Sequence, residues 1–231
     1  MKKYEFTGET KQVELLFRTV TLHRIKAVAE FGIVKVGDFG GWIEKEENLS
    51  HDGKAWVYGN AKVWGDAKVW GNAKVYGNAK VYGDAKVWGD AEVLGDAKVW
   101  GDAKVWGNAK VWGDAKVWGN AKVYGDAKVW GDAKVLGDAK VWGNAKVCGD
   151  AEVFSISHVL VIGPIGSRND FTTFFRDKDS EITVKCGCFL GKIDKFLEKV
   201  CETHGDSKYA IVYRTAAEIA KQQIDLSEEK Q

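Results

Sequence analysis

Residues 97–120 read AKVWGDAKVWGNAKVWGDAKVWGN, which is one six-residue unit written four times. The unit continues in both directions, because valine occupies every sixth position from Val57 to Val153 without an insertion. Alanine stands two residues before each of these valines, and glycine follows two residues after nearly all of them. Such a short and regular period predicts a solenoid in which each unit builds the same structural element.

Each unit has the pattern of a short strand followed by a corner. Alanine and valine fall on one side of an extended segment, while lysine and the aromatic residue fall on the other. Glycine supplies the positive φ of a tight corner, and the Asp or Asn after it tolerates a turn. A helical unit is excluded, because β-branched residues and glycine at a period of six match no helical face.

Three such sides close a triangular coil of about 18 residues, with valine stacked on valine inside. The regular units, extended by looser ones at Val159 and Ile165, make about six coils. A strand spacing of about 4.8 Å then predicts a prism roughly 30 Å long. Each buried valine contributes about 1.5–3 kcal/mol, so the column offsets the cost of ordering the chain. A right-handed helix would have longer and less regular sides, and the left-handed form is therefore predicted.

The V-x-G-[DN]-A-x pattern resembles the hexapeptide-repeat family of left-handed β-helices. Residues 37–63 look like the opening segment of a variant common in phage and prophage genomes. Residues 162–191 and 202–210 are similar to the C-terminal module of the same proteins. The resemblance implies a left-handed parallel β-helix and a trimer as the common state. Members are often labelled acyl- or acetyltransferases on the fold alone, and a fold does not determine a function.

The rest of the chain divides into two caps. We predict a β-rich N-terminal cap over residues 1–50, a β-helix over 51–165 and a small α+β domain over 166–231. KYEFT (3–7) and TVTLHRIKAV (19–28) have the composition of strands, and GDFGG (37–41) that of a turn before Trp42 and Ile43 approach the prism. Capping is expected, because the open end of a solenoid exposes apolar side chains and unpaired backbone.

The C-terminal domain is predicted to contain two strands and two helices. DFTTFFR (170–176) and SEITVK (180–185) are the strands, joined by a turn at residues 177–179. The helix KIDKFLEKVCETH ends at Gly205, and a second helix runs from about Ser207 to Gln222. The predicted apolar stripes are Ile193, Phe196, Leu197, Val200 and Cys201 on the first helix, and Tyr209, Val212, Tyr213, Ala216 and Ile219 on the second.

Composition limits the partners and the compartment. Lys plus Arg number 34 and Asp plus Glu 33, so net charge gives no support for nucleic-acid binding, which we consider unlikely. The four cysteines are too few for a disulfide scaffold and fit a reducing cytoplasm. MKKYEFTGETKQ lacks the apolar run of a signal peptide, and no stretch has the roughly 20 apolar residues of a membrane helix. We expect a cytoplasmic protein, in the host cytoplasm if phage-encoded, without a membrane partner.

Two histidines are weak catalytic candidates. Hexapeptide acyltransferases, which the repeat resembles, typically use a histidine base in a cleft between protomers, often near a loop that interrupts the coils. Here no loop interrupts the coils, and no histidine lies in the regular run. His51 and His158 stand at its two ends, and His51 falls on the valine phase, where it could face the first coil. An end-capping role is the simpler interpretation of both, and no catalytic residue or cofactor is predicted.

Cys186, Cys188, Cys201 and His204 are weak candidates for metal ligands, because thiolates and imidazole are zinc-type donors. The C-x-C spacing is tighter than the usual one, and Cys201 lies on an apolar stripe, where a cysteine packs as a small hydrophobe. We therefore predict core cysteines and no metal. Cys148 follows Val147 in an outward-facing position and could be an exposed thiol.

The segment GPIGSRND (163–170) is a candidate ligand contact. It lacks the spacing of a phosphate-binding loop, but an arginine there can hold an anion through two hydrogen bonds. A plain turn needs no ligand and is the simpler interpretation, and contact with a small anionic ligand is the alternative. The candidate ligand-binding residues are Arg168, Asn169, Thr172 and Thr173.

The residue after each valine points outwards, and every third such residue shares a face of the prism. Their rings are predicted to stack along the prism, with lysine stems beside them. The first column is Tyr58, Tyr76, Leu94, Trp112, Trp130 and Cys148, and the second is Trp64, Tyr82, Trp100, Trp118, Leu136 and Phe154. The third, our predicted interface, is Trp70, Trp88, Trp106, Tyr124 and Trp142, followed by Leu160.

Three functions follow as hypotheses. The first is a non-enzymatic scaffold or binding protein that forms a homo-oligomer, a trimer or a dimer, because large aromatic patches mark interfaces. In a phage setting it could sequester a host protein or a small nucleotide-like ligand. The second is an acyl- or acetyltransferase of the hexapeptide-repeat type. The third is a structural virion or assembly component.

Overall fold

Seventeen two-residue strands, β4 to β20, follow one another at six-residue intervals from Trp56–Val57 to Glu152–Val153. They belong to a computed structural model that describes residues 2–227. The last four residues of the predicted C-terminal domain lie outside the described part of the chain. The other elements are strands β1 Tyr4–Glu14, β2 Thr19–Ala27, β3 Phe39–Ile43, β21 Val159–Ile165, β22 Asp170–Arg176, β23 Ile182–Cys186 and β24 Phe189–Lys192, helices α1 Ile193–His204 and α2 Lys208–Gln223, and 3-10 turns Glu46–Asn48 and Ile156–His158.

The short strands form a solenoid of about six turns with three parallel sheets. Each strand pairs with the strands 18 residues before and after it, so that Val93 lies between Val75 and Val111. Every alanine and valine of the repeat is at most 1% exposed. The predicted β-solenoid, with its interior of stacked valines, is therefore confirmed.

Glycine is required at the corners by backbone geometry. Gly107 has a φ of 72°, in the left-handed region that favours glycine. A Cβ atom added there would lie 3.0 Å from the backbone nitrogen of Gly125, one coil further along. Stacked corners are thus too close for a side chain, which explains why the glycine recurs in every coil.

The N-terminal segment caps the solenoid by continuing one of its sheets. Strands β1 and β2 form an antiparallel hairpin, β2 pairs antiparallel with β3, and β3 pairs in parallel with β5 (Lys62–Val63). Tyr4, Ile25 and Val34 belong to the same buried cluster as the valine columns. The predicted β-rich cap is confirmed, and its last strand already has the parallel register of the prism.

The first coil is longer than the others, which corrects the predicted position of His51. Ile43 pairs with Val63 and Leu49 with Val69, so 20 residues separate partners here rather than 18. Leu49, which is fully buried, therefore takes the interior position. The two additional residues displace His51 from the valine phase to the end of the prism.

Lys3 covers this end of the solenoid, although a lysine side chain is rarely buried. Its side chain is buried, its Nζ donates to the Ala55 carbonyl at 2.8 Å, and the Nζ lies 4.9 Å from the Phe31 ring centroid. Burial lowers the pKa of Lys3 from 10.5 to about 8, against the opposing charge of Asp52. The cap therefore contains a lysine whose neutral form is favoured by folding.

At the other end, the chain leaves the solenoid earlier than predicted. Strand β21 pairs antiparallel with β22, so Val159 and Ile165 are not further hexads. Leu160 lies opposite Phe174 in this sheet and is not the last member of the third column. The predicted strand at residues 170–176 and the turn after it are confirmed. Strand β24 was not predicted.

Strand β22 lies between two cores. Its alternating side chains place Phe175 against the solenoid and Phe174 against the helices, and both are fully buried. Helix α1 is confirmed, with Gly205 at its C-terminal end at a φ of 53°. Strand β22 thus contributes to the junction between the domain and the prism with both of its faces.

The predicted apolar stripes need two corrections. On α2, Tyr209, Val212 and Ile219 are exposed, and the buried residues are Tyr213 with four alanines, because only small side chains let this helix lie close to the sheet. On α1, Cys201 is exposed, because the helix turns its Phe196 and Val200 side towards the core. The four alanines are Ala210, Ala216, Ala217 and Ala220.

The prediction of an exposed thiol at Cys148 was wrong. The side chain is 1% exposed, because the C-terminal domain covers the end of the first column. Phe175, Leu190 and Lys192 line the same small cavity as Cys148. Burial raises the pKa of the thiol to about 11. Cys148 faces outwards in the repeat, but the C-terminal domain that covers it determines its environment.

Candidate functional site

The third column is a ladder of parallel rings along one face of the prism. Trp70 and Trp88 stack at a centroid distance of 4.9 Å, and Trp88 and Trp106 at the same distance, with interplanar angles of 2° and 3°. Trp106 stacks on Tyr124 at 4.3 Å, and Tyr124 on Trp142 at 6.4 Å. The predicted stacking is confirmed, and the spacing follows from the distance between coils.

The other two columns are interrupted or covered. In the second column Trp64 is buried under Val20 and Leu22 of the N-terminal hairpin. The first column contains a leucine, Leu94, in its middle and ends at the covered Cys148. The third column contains only aromatic residues from Trp70 to Trp142, and Trp142 at its end is 39% exposed.

The lysine columns beside the rings also differ from face to face, because acids interrupt two of them. On the first face Glu92 forms ion pairs with Lys74 and Lys110, at 3.3 and 2.8 Å. Burial would raise the pKa of Glu92, but the hydrogen bonds from Lys110 and Lys74 lower it below its ordinary value. On the second face Glu152 pairs with Lys134 at 2.6 Å. The lysines of the third face, with no acid in their column, are Lys68, Lys86, Lys104, Lys122 and Lys140.

Acidic and amide side chains form a further column at the corner after the third face. The Asn72 amide donates to Asp90 at 3.0 Å, and the Asn108 amide donates to Asp126 at 2.9 Å. The third face therefore presents a basic column, an aromatic column and an acidic corner side by side. The corner carries two aspartates, Asp90 and Asp126, against the five lysines of the basic column.

His51 is fixed by contacts within the cap. Its Nδ1 accepts the backbone N–H of Lys3 at 3.2 Å, and its Nε2 lies 3.7 Å from a carboxylate oxygen of Glu46. The ring stacks on Tyr4 at 4.3 Å. A neutral imidazole has one acceptor nitrogen, and here a backbone amide occupies it. The ring borders a groove of about 460 Å³ that reaches Trp70, but it has no unused lone pair to act as a base.

His158 is fully buried where the solenoid meets the C-terminal domain. Its Nδ1 accepts the backbone N–H of Phe154 at 3.1 Å, and its ring meets the edge of the Phe154 ring at 5.7 Å. Both candidate bases thus use Nδ1 to accept an amide proton from a neighbouring segment. A substrate in solution cannot reach His158 in this conformation.

A second candidate site lies in the C-terminal domain. A cavity of about 520 Å³ opens between the turns of its sheet and the two helices. Of the residues that sequence analysis selected, the cavity brings together Arg168, Cys186, Cys188 and His204. The other lining residues were not predicted for a site, although the spacing of Phe196 and Val200 puts them on the same face of α1 as His204. The lining residues not predicted for this site are Ser167, Phe189, Phe196, Lys199, Val200, Thr203 and Tyr213.

The four predicted ligand-binding residues are not grouped around this cavity. Arg168 lies at its mouth, whereas Asn169 occupies the turn with a φ of 50°. Thr172 and Thr173 are fully buried. The Thr172 hydroxyl donates to the Cys186 sulfur at 3.3 Å, and the Thr173 hydroxyl accepts the Lys146 backbone N–H at 3.0 Å. Both hydroxyls therefore make contacts that join parts of the chain.

The structure does not bring the four candidate metal ligands together. Cys186, Cys188 and His204 line the cavity, but Cys201 is outside it, with its sulfur 3.8 Å from an Arg214 nitrogen. Within residues 2–227, the one set of three potential ligands in close proximity is Asp177, Asp179 and Glu181. A lysine occupies the centre of that set, since Lys192 forms ion pairs with all three carboxylates at 2.6–3.3 Å.

Comparison with known proteins gives a short sequence likeness. No model of a known protein family matches the chain. A 62-residue stretch is 34% identical to the uncharacterized acetyltransferase YdcK of Escherichia coli strain K12. The match covers 25% of this chain and 19% of that relative, so the chain spans about a fifth of its length. The parallel coils with an 18-residue spacing fit the hexapeptide-repeat family.

Neither helix of the described chain has the length and apolar content needed to cross a membrane.

Proposed function

We propose that this chain is a non-catalytic scaffold that associates with copies of itself through the third face and carries its C-terminal domain as a binding module. The observation that carries the proposal is the ladder of rings from Trp70 to Trp142, none of which packs into the buried clusters of the solenoid, the N-terminal hairpin or the C-terminal domain. Aromatic surfaces of this kind are enriched at interfaces. A dimer or a trimer satisfies the proposal.

A second copy is the partner that the face fits best. The lysine column lies beside the rings, and the corner carries Asp90 and Asp126, so charges of both signs run along the face in parallel lines. Two such faces can set lysines against acids while the rings meet in the centre. The near balance of charge over the whole chain also limits repulsion between copies.

A non-catalytic function agrees with the geometry of the histidines. His51 and His158 each direct an acceptor lone pair to a backbone amide, so neither has a free base in this conformation. General base catalysis requires such a lone pair within hydrogen-bonding distance of the substrate. The regular hexads themselves contain no histidine.

Light scattering and native mass spectrometry of the purified chain test the proposal. We expect a stable oligomer, and we expect Trp106→Ser to raise its dissociation constant by about tenfold or more, because truncating a central aromatic residue removes a hot spot. Trp100→Ser is the matched control, since Trp100 also stacks on two neighbouring rings but lies on the second face.

Equal weakening of the oligomer by both variants would show that general loss of stacking, and not the third face, is responsible. A monomer at all concentrations would refute self-association altogether. Open-ended polymers would instead favour the structural virion or assembly component. In that case the Trp106→Ser variant is expected to shorten the polymers only if the third face forms the contact.

An acyl- or acetyltransferase is the second candidate, favoured by the short likeness to the acetyltransferase from Escherichia coli and by the groove beside His51. Release of free thiol from acetyl coenzyme A in the presence of amine acceptors tests it. The scaffold proposal expects no release above the uncatalysed background. Release that disappears in His51→Gln, with the oligomer intact, would establish the transferase instead.

A phage origin stays a prediction, and it is based on the resemblance to phage and prophage proteins. In that setting the scaffold would act in the host cytoplasm and sequester a host protein or a small nucleotide-like ligand. Native mass spectra of the chain purified from cells test this, because a retained small molecule adds mass to each protomer. A retained protein would favour the host factor.

A further inference from the structure

The cavity in the C-terminal domain has the size and construction of a small-molecule site. Its volume of about 520 Å³ lies within the range of ligand pockets in proteins. Four separate segments form it: residues 167–168, residues 186–189, the inner face of α1, and Tyr213 of α2. The walls therefore come from elements that the domain core already fixes in place.

One side of the cavity mouth is cationic. Arg168 and Lys199 both line it; Lys199 is paired with Glu202 at 2.9 Å, whereas Arg168 forms no ion pair with a carboxylate among the described residues. The nearest polar contact of its guanidinium is the Cys188 sulfur, at 3.8 Å. Gly187 makes this placement possible, because a Cβ atom there would lie 2.6 Å from the Arg168 Nη1. The guanidinium is thus held over the opposite turn with most of its donors unused.

The floor of the cavity is aromatic. The rings of Phe189 and Phe196 lie 5.5 Å apart, and the Phe196 ring meets the Tyr213 ring edge-on at 5.7 Å. The His204 ring lies 5.7 Å from the Tyr213 ring at 30°, which extends the aromatic surface to the rim. Phe189 and His204 are partly exposed, whereas Phe196 and Tyr213 are buried behind them, and rings arranged in this way favour contact with a flat apolar group.

Tyr213 adds polar atoms at the bottom of the site. The side chain is 4% exposed, and Cys186 and Ser167 line the cavity beside it. Burial, with the neighbouring Cys186, raises the pKa of Tyr213, so the phenol stays protonated. Gly166 lies directly under the ring, where any Cβ atom would collide with it. The hydroxyl is therefore fixed as a neutral hydrogen-bonding group.

We propose that this cavity binds a small organic anion with a flat apolar body, the anionic group lying at Arg168 and Lys199 and the body against Phe189, Phe196 and His204. A guanidinium pairs with carboxylate or phosphate through two parallel hydrogen bonds, so either anion fits. The proposal gives a ligand class to the binding module of the proposed scaffold. It does not depend on self-association, because no third-column residue lines the cavity.

Titration calorimetry of the full chain with three probes tests the ligand class. The probes are naphthoate, naphthyl phosphate and the neutral naphthalene methanol. We expect at least one of the two anions to bind about tenfold or more tightly than the neutral probe, because a hydrogen bond to a charged group contributes that difference. The stronger of the two anions identifies the anionic group. Equal binding of the neutral probe, or no binding of any probe, would overturn the proposal.

Two variants distinguish the site from nonspecific binding. Arg168→Gln is expected to reduce the affinity for the anion by about tenfold or more, with little effect on the neutral probe. Arg214→Gln is the matched control, because Arg214 belongs to the same domain but contacts Asp206 and the Gly205 carbonyl outside the cavity. Wild-type affinity in Arg168→Gln, or an equal loss in both variants, contradicts the assignment.

A measurement on the wild-type protein is independent of the variants. Cys188 and Cys201 are both exposed, but only Cys188 lines the cavity. The bound anion is expected to slow alkylation of Cys188 by N-ethylmaleimide several-fold and to leave Cys201 unchanged, as followed by peptide mass spectrometry. Equal rates at Cys188 with and without the anion would place the ligand elsewhere. An altered oligomer in the same sample bears only on the scaffold proposal.

Discussion

The solenoid and the C-terminal domain are built from the same chain by different rules. In the solenoid each side chain repeats the environment of the residue 18 positions away, so that Val93 lies between Val75 and Val111. In the C-terminal domain, Phe174 and Phe175 are neighbours but belong to two different cores. The difference teaches that local pattern is sufficient where contacts recur in register, and insufficient where distant segments meet.

Cys148 lies at the boundary between the solenoid and the C-terminal domain, and its surroundings depend on both the repeat and the distant contacts. Cys148 occupies the position that Trp112 and Trp130 occupy in the same column, and those two rings stack at 4.9 Å. Cys148 instead lies under the C-terminal domain with 1% exposure. The repeat determines its outward direction, and a separate domain determines what it meets.

The largest expected effect comes from placing a charge inside the solenoid. Val105→Asp buries a carboxylate without a partner among stacked valines, and we expect a loss of more than about 4 kcal/mol in the free energy of unfolding, or no folded protein. The adjacent Lys104→Asp, which points outwards, is expected to cost less than about 1 kcal/mol. Urea unfolding followed by circular dichroism measures both. Similar losses would contradict the alternation of inward and outward residues.

The next effect sharpens the comparison at Cys148. Cys148→Trp restores the aromatic residue of the repeat, but we expect it to reduce the free energy of unfolding by about 2–3 kcal/mol, because the site is already filled by the domain above it. Trp130→Cys, in the same column, is expected to cost about 1 kcal/mol through lost stacking. Thermal unfolding compares the two. A stabilising effect of Cys148→Trp would mean that the C-terminal domain does not pack tightly against residue 148.

A pH-dependent effect tests the buried lysine of the cap. Because the pKa of Lys3 is about 8 in the folded chain and near 10.5 in the unfolded chain, folding favours the neutral amine. The cost of protonation is fully present below about pH 8 and disappears as the pH rises towards 10.5. Relative to Lys3→Met, the wild-type chain should therefore gain about 1–2 kcal/mol of stability between pH 7 and pH 10.

Urea unfolding of both proteins at several pH values measures this gain. Lys3→Arg is the control, because arginine stays charged over the whole pH range and its stability should not rise in this way. A constant difference between wild type and Lys3→Met would show that Lys3 titrates normally in the folded chain.

The smallest effect is expected from removing a whole coil. Deletion of residues 97–114 joins two corners that are alike, because each coil contacts only the coils on either side. We expect the shorter chain to fold with a melting temperature lower by less than about 5 °C. Deletion of residues 97–111 is the control, since it leaves the following valines out of register and should produce aggregates. Aggregation of both deletions would count against the repeating triangular coil.

Much of the architecture follows from pattern, and the errors occur where contacts are distant. The units from Val57 to Val153, helix α1 and strand β22 lie where periodicity predicts them. His51 was misplaced because two additional residues in the first coil give the interior position to Leu49. Strand β21 was misread as further hexads, because its apolar residues suit an antiparallel sheet equally well.

The two candidate sites were predictable to different degrees. The third column could be identified from the sequence, since residues 18 apart must stack once the coil is known. In the C-terminal cavity, Arg168 was a candidate for a ligand contact, but Phe196 and Tyr213 were not. Those rings reach the cavity from two helices whose packing on the sheet no local pattern specifies.

The sequence by itself determined the solenoid, its three columns of rings and its glycine corners, because a six-residue repeat gives every coil the same contacts with the next. Only the tertiary structure decided that Cys148 is buried, that Lys3 closes the first coil and that Arg168 faces an aromatic cavity. Each of these features requires contact between segments that are far apart in the chain. Such contacts are decided by how side chains of different shapes pack together.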